Sequence, residues 1–197
     1  MDLILYSDRL KLAPFDMADL DLAIEMFTDP DVLRYAGGAV AEAEIREEMP
    51  KWTRRGGNGC IGIWRISAQA SAEKFGTIAL LPMPVEEDDT DFSLVIPGQM
   101  PTGDVEIGYF LKRSAWGFGF ATEACERVLR MAFEESPLAE IVATFEEGNI
   151  ASRNVLEKAG FIDHGLMRSY GEDSPNYRIT RDEWLCLQQS RNRDQHD

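Results

Sequence analysis

Two short stretches carry residues whose types and spacing can do chemistry. The first is Trp116-Gly117-Phe118-Gly119-Phe120-Ala121-Thr122-Glu123-Ala124. Spaced glycines let the backbone take dihedrals closed to other residues and approach a ligand closely. Where a helix opens on such a turn, its first N–H groups lack intrahelical acceptors and its dipole adds partial positive charge. The chemistry on offer is capture of a phosphate or diphosphate by main-chain amides. By themselves, the two glycines also fit a tight connection that binds nothing. A dinucleotide-binding G-x-G-x-x-G is disfavoured, because Thr122 stands where the third glycine belongs and no early βαβ unit is present; a P-loop lacks its Gly-Lys-Ser/Thr. The second stretch is Asn149-Ile-Ala-Ser152-Arg-Asn-Val-Leu156-Glu-Lys158-Ala-Gly160-Phe161. Asn149 and Ser152, three apart, share a face of one first helical turn. An Asn cap with an incidental Ser is the plain alternative.

A glycine turn of this kind needs a strand before it and a helix after it. Residues 105–111, Val-Glu-Ile-Gly-Tyr-Phe-Leu, read as the strand. A helix over about 121–135 would put Ala121, Cys125, Val128, Leu129, Ala132 and Phe133 on one face. Residues 140–145 form the next strand, Asn149 caps a helix running to Ala159, and Gly160 stops it. Strands over 161–167 and 176–179 close the fold, and Thr180 with Glu183 opens a last short helix in a capping-box pattern. Upstream lie a strand over 9–14, a helix capped by Asp16 with Leu20, Ala23, Ile24 and Phe27 on its apolar face, and a more polar helix over 40–53. A hairpin of 60–66 and 75–81 follows, joined through the Ala/Ser-rich stretch 68–72. Residues 82–104 make a long acidic connection with a short strand expected over 92–96. A loop of that length is usually functional or mobile, and a solvated surface excursion is the reading preferred here. The order gives an α+β fold with a mostly antiparallel sheet and one parallel crossover. One domain over 1–189 is expected, followed by a polar, disordered tail over 190–197.

The net charge is −15, from 35 acidic and 20 basic side chains among 197 residues. That argues against nucleic-acid binding, which needs a cationic footprint. It suits a cationic acceptor, an expectation the acidic run from Glu86 to Asp91 shares. Cys60, Cys125 and Cys186 lack metal-ligand spacing, and with only His164 and His196 besides, no metal site is expected. Odd in number, they read as reduced thiols of a cytoplasmic protein. No signal segment or membrane span is expected. His164 reads as a half-exposed strand residue, and Trp52, Trp64 and Trp116 as core or wall. Tyr35 and Trp64 are candidates for lining an acceptor pocket. Homodimerisation stays open.

Taken together and in this order, the two stretches resemble the GNAT superfamily of acetyl-CoA-dependent N-acetyltransferases. The resemblance is closer to its RimJ/RimL-like branch of ribosomal-protein-alanine acetyltransferases. Asp8-Arg9-Leu10 resembles the branch's opening strand, Glu106-Ile-Gly-Tyr109 the strand before the turn, and Trp116 to Ala124 the turn and helix. Asn149…Ser152-Arg…Glu157-Lys-Ala-Gly-Phe161 resembles the next helix and Tyr177-Arg-Ile-Thr-Arg-Asp-Glu-Trp184 the ending. The likeness spans nearly the whole chain, and the joint pattern is specific where its pieces are not. It implies a central mixed, mostly antiparallel sheet of about seven strands flanked by helices, with a V-shaped splay between strands four and five (105–111 and 140–145).

The resemblance further implies acetyl-CoA as co-substrate, with no metal. The backbone of Phe110, Leu111 and Lys112 would pair with the pantetheine arm. The amides of Gly117, Phe118, Gly119, Phe120, Ala121 and Thr122 would hold the pyrophosphate. Asn149 would reach the pantetheine chain and Ser152 would sit near the sulfur. The reaction would be direct attack by an amine, on a protein N-terminus or a small molecule, in a ternary complex. An amine must be neutral to attack but is largely protonated near neutral pH, so a base or a water chain leading to one is required. Glu106 is the candidate base; the alternative is a solvent-facing strand residue. A backbone N–H near Leu111 would polarise the carbonyl. Where many relatives carry a tyrosine acid, Leu156 stands. Either Ser152 replaces it or the thiolate, with a pKa of about 8.5 by analogy with cysteine, leaves unaided. Ser114 occupies the position where the family's older pattern begins with Gln or Arg, which leaves open whether the adjacent Arg113 touches a phosphate. Two rival readings remain: a non-catalytic acyl-CoA-binding or interaction module on the same fold, towards which Leu156 leans, and an enzyme binding a different phosphate ligand such as a nucleotide.

Overall fold

Apolar alternation through the middle of the chain builds a sheet whose two faces are both covered. The computed structural model describes residues 3–194. Its strands are β1 (Leu5–Tyr6), β2 (Leu10–Pro14), β3 (Gly62–Ala68), β4 (Lys74–Pro82), β5 (Val105–Leu111), β6 (Glu140–Thr144), β7 (Ile162–Ser169) and β8 (Glu172–Thr180), in the sheet order β1-β2-β3-β4-β5-β6-β8-β7. Its helices are α1 (Leu20–Phe27), α2 (Glu42–Trp52), α3 (Phe120–Glu135), α4 (Ile150–Ala159) and α5 (Arg181–Asp194).

Each face of the sheet holds one core. Phe15, Leu22, Ala23, Met26, Ile45 and Met49 pack with α1 and α2, and Phe110 of β5 joins them. The larger core on the other face takes Val128, Leu129, Met131 and Phe133 of α3, Leu156 of α4 and Trp184 of α5. Full burial of each such large side chain contributes about 1.5–3 kcal/mol, so α3 is the main anchor of that face.

The β5–β6 pair is parallel, as the intervening α3 crossover requires, and every other neighbouring pair is antiparallel. β5 and β6 share one register pair, Glu106 with Val142. Beyond it the two strands separate, which is the expected splay. Because side chains alternate, Glu106, Gly108 and Phe110 face α1 and α2, while Ile107, Tyr109 and Leu111 face α3 and α4.

Several local expectations need correction. The sheet of about seven strands is borne out with eight among the described residues, the additional one being the two-residue β1 that pairs with β2. Residues 92–96 form no strand. Asp91 caps a short 3-10 turn there by accepting from the Ser93 amide at 2.8 Å, and Phe92 and Val95 bury themselves in the core. The connection is therefore pinned to the domain at Phe92 and Val95, while most of its residues, Glu86 to Asp89 among them, stay exposed as expected of a surface excursion. Asp16 caps a 3-10 turn, Met17–Asp19, that leads into α1. α5 continues past residue 190 to Asp194, so the expected tail begins as helix; residues 195–197 lie outside the described residues.

Candidate active site

The cradle forms where β5 turns into α3. Gly117 and Gly119 both adopt left-handed backbone, with φ of +80° and +78°, and Gly119 sits at the helix N-cap. A Cβ at Gly117 would meet nothing within 4 Å, and at Gly119 only an Arg9 guanidinium nitrogen at 3.7 Å. The first α3 amide to find its helical acceptor is Glu123, on the Gly119 carbonyl at 3.1 Å. The amides from Gly117 to Thr122 precede it at an open mouth, where the donors of a helix start are free for an anion.

Glu123 fixes this turn to the start of the sheet. Its carboxylate accepts from the Arg9 amide at 2.8 Å, the Arg9 Nε at 2.6 Å and the Ser7 hydroxyl at 2.8 Å. Arg9 also donates to the Phe118 carbonyl at 3.0 Å and lies over the Phe120 ring. Arg113 points elsewhere, pairing with Asp29 and Asp31 before α2.

Beside the cradle, the edge of β5 left by the splay offers main-chain groups. The Lys112 amide donates to the Phe75 carbonyl at 2.9 Å, so it is committed to the β4 side. In an antiparallel ladder this alternation turns the Phe110 groups towards β4 and those of Leu111 away from it. The strand-like pairing expected of Phe110, Leu111 and Lys112 thus narrows to Leu111, whose carbonyl already accepts from the Trp116 indole at 2.8 Å. Its N–H faces the slot.

α4 enters from the other side. The Asn149 side-chain oxygen accepts from the Ser152 amide at 3.1 Å, which caps the helix and leaves the Asn149 amide nitrogen to reach outward. The Ser152 Oγ lies 3.0 Å from the Tyr109 hydroxyl, which also donates to the Ser152 carbonyl at 3.1 Å. Burial pushes the Tyr109 phenol well above its ordinary range, so it keeps its proton. Leu156 is buried in the core.

Glu106 is 7% exposed, which rules out a solvent-facing strand residue. Burial pushes its carboxyl up to about 7; a hydrogen bond from Tyr170 opposes the rise and the nearby Asp89 adds to it. The Tyr170 hydroxyl donates to Glu106 Oε1. Next to Glu106 on the same face, a Cβ at Gly108 would meet nothing within 4 Å. A buried carboxylate titrating near neutrality, beside open space, is placed as a general base should be.

Tyr35 is half-buried, 3.5 Å from where a Gly148 Cβ would lie just before α4. Trp64 does not line a pocket: it is fully buried and donates to the Leu3 carbonyl at 3.0 Å. His164 is exposed on β7. Among the described residues, no His, Cys, Asp and Glu cluster is arranged to hold a metal ion, and no helix is long and apolar enough to cross a membrane.

Two site residues escaped the sequence reading. Tyr109 lay inside the quoted Glu106-Ile-Gly-Tyr109 motif, and strand alternation places it on the α4 face; its meeting with Ser152 was open to inference. Tyr170 carried no comparable signal. It sits in a hairpin turn 64 residues from its partner.

Residues 9–162 match the model of the acetyltransferase (GNAT) domain. The chain belongs to the GNAT acetyltransferase family. This GNAT protein is 30% identical over 172 residues to YkkB, an uncharacterised protein of Bacillus subtilis, covering 85% of this chain and 90% of that one. It is 27% identical over 193 residues to the FsC-acetyl coenzyme A-N(2)-transacetylase of Aspergillus fumigatus, covering 93% and 79%. Its fold superposes with a TM-score of 0.67 on spermidine N-acetyltransferase from Vibrio cholerae in complex with CoA and spermine, at 15% identity, covering 91% and 99%. The chain is an N-acetyltransferase, and the rival of a non-catalytic module on the same fold finds no support.

Proposed function

We propose that this chain moves the acetyl group of acetyl-CoA onto a cationic primary amine by direct attack in a ternary complex. One observation carries the reading: Glu106, buried, with its carboxyl pushed up to about 7, lies two residues along β5 from Gly108, where a Cβ would meet nothing within 4 Å. The open glycine cradle fits the diphosphate of CoA, and the free edge at Leu111 fits a pantetheine arm. Acetyl-CoA, when bound, supplies the activated thioester. The amides of Gly117, Phe118, Gly119, Phe120, Ala121 and Thr122 hold its pyrophosphate, and Asn149 reaches its pantetheine chain. The Leu111 N–H faces the acetyl oxygen and stabilises the charge that grows there.

Glu106 takes one proton from the ammonium, and the lone pair so freed forms the new bond to the acyl carbon. As the carbon–sulfur bond breaks, the nitrogen gives up its second proton, which balances the proton taken by the thiolate. Ser152 is the donor at hand, and Tyr109 orients its hydroxyl. A thiolate is a moderately good leaving group, so this proton matters less than the one at Glu106.

A cationic acceptor is supported by Glu86, Glu87, Asp88, Asp89 and Asp91 in the β4–β5 connection, which reaches the residues around Glu106. The FsC transacetylase, an N(2)-acetylating relative, and the spermine-bound neighbour are consistent with amine acceptors. Asp8-Arg9-Leu10 and the glycine turn favour the RimJ/RimL-like branch, and the free thiols of Cys60 and Cys125 favour the cytoplasm. The test is thiol release from acetyl-CoA across a panel of protein N-terminal peptides, polyamines and small amines. Release that rises with one class of amine and saturates supports the reading. Release that no amine accelerates overturns it.

A further inference from the structure

The β7–β8 hairpin turn lies far from the cofactor cradle, yet it reaches the base. Tyr170 occupies this turn with φ of +51°, a left-handed conformation that a side chain other than glycine adopts at some cost. The surroundings hold it there. Its amide donates to the Pro84 carbonyl at 3.3 Å and the Gly171 amide to the Val85 carbonyl at 3.0 Å. One residue before the buried Ser169, Arg168 grips Glu86 with two nitrogens, Nη2 to Oε2 at 2.8 Å and Nε to Oε1 at 3.1 Å. The hairpin tip and the acidic connection are thus fastened together. Tyr170 remains 36% exposed while its hydroxyl donates to a carboxylate that is 7% exposed. It links the surface to the buried carboxylate.

We propose that Tyr170 is the positioning residue of the base, its hydroxyl fixing one oxygen of Glu106 so that the other is presented to the acceptor amine. This rests on the reading of Glu106 as the base. The phenol keeps its proton throughout, because burial and the Glu106 charge push its own titration far above the ordinary range. A donor that stays protonated favours the charged carboxylate, against the burial that disfavours it. Two groups act on Glu106, Tyr170 from the hairpin and Asp89 from the connection; Glu48 and Lys51 of α2 act in turn on Asp89 with opposite sign. Arg178, on the same sheet face, is taken up by Glu140 at 2.7 Å and Asp104 at 3.1 Å. Tyr170 is therefore the neutral donor that keeps Glu106 ionised near neutrality.

The test is the pH profile of kcat/KM for the amine in Tyr170→Phe, which keeps the ring and loses only the donor. The acid limb is expected to move up by about one pH unit, giving roughly tenfold lower kcat/KM below the limb and values within about threefold of wild type on the alkaline plateau. Acetyl-CoA affinity is expected to stay unchanged. NMR titration of the labelled Glu106 carboxyl reads the same shift without turnover. A limb and a carboxyl titration that both stay in place overturn the positioning role, as does a uniform loss of rate at every pH. Glu106→Gln separates the two readings. If it removes the limb while Tyr170→Phe leaves the limb unmoved, only the positioning role fails. If Glu106→Gln keeps both limb and rate, the base assignment itself fails and takes the positioning role with it.

Discussion

Glu106 sets the sign of two pH effects that run in opposite directions. Folded, it titrates near about 7, against an ordinary value of 4.5. As a base it works ionised, so kcat/KM is expected to rise with pH through about 7 and level off above it. Glu106→Gln is expected to lower kcat by about 10²–10⁴ and to flatten that rise. Stability moves the other way. The raised value means the folded state gains from the neutral form; that gain is fully present below about 4.5 and is lost as pH rises through about 7. Glu106→Gln removes the penalty of a buried charge, so its unfolding free energy is expected to exceed that of wild type near pH 8.5, by up to roughly 3 kcal/mol with a matching rise in melting temperature, and to equal it near pH 4. Equal melting shifts at the two pH values would contradict the assignment. On the opposite side of the slot, Ser152→Ala is expected to lower kcat by roughly tenfold, with Tyr109→Phe less affected because it only orients that hydroxyl. Single-turnover rates at saturating acetyl-CoA measure both, and an unchanged rate in Ser152→Ala would remove it from the proton path. Glu106 entered through the family resemblance, with a solvent-facing position as its alternative; the helical turn shared by Asn149 and Ser152 was legible in their spacing. Tyr170 was not, because its role comes from a turn docking onto a distant connection.

At the scale of elements, the cradle is a strand end, a left-handed turn and a helix start, held by the Arg9–Glu123 latch. Gly117 sits at positive φ with open space before it, so Gly117→Ala costs about 1 kcal/mol of backbone strain and points a methyl group into the mouth. The expected outcome is at least about tenfold weaker acetyl-CoA binding with kcat nearly kept, since uniform binding is what is lost. Titration calorimetry and steady-state rates together check it, and a fall in kcat at unchanged affinity would contradict it. The elements that build the cradle were legible for physical reasons. β5 alternates, α3 repeats apolar residues at helical spacing, Asn149 caps α4, and Gly160 at φ of +101° ends it. The Thr180–Glu183 box at α5 formed as its spacing required, the Thr180 amide donating to the Glu183 carboxylate at 2.8 Å. Elements decided by tertiary contact were not legible. β1 is two residues long and exists through its pairing with β2. β8 begins at Glu172, through a polar Pro175-bearing stretch that strand propensity disfavours, because β7 supplies a partner. Phe92 and Val95, apolar and close in sequence, imitate a strand but serve as plugs for the connection.

The whole molecule combines a net charge of −15 with a cofactor that is itself an anion. Long-range attraction therefore favours a cationic acceptor and opposes CoA, whose capture depends on short-range amides instead. Raising ionic strength from about 0.05 to about 0.5 M is expected to raise KM for the amine several-fold and to quicken acetyl-CoA association. Stopped-flow rates and amine KM values across that range check both signs, and a KM that falls with salt would contradict a cationic acceptor. A mostly antiparallel sheet with a single parallel pair followed from the order of strands and helices along the chain. The width of the splay did not, because it depends on β5 and β6 sharing only the Glu106–Val142 register pair. Everything proposed for the acetyl group presupposes that the amides around Gly117 and Gly119 hold a diphosphate. Isothermal titration of the wild-type protein with acetyl-CoA tests this most directly. Saturable one-to-one binding with a Kd on the order of 1–100 μM is the predicted result; no binding heat at about 500 μM ligand would contradict it.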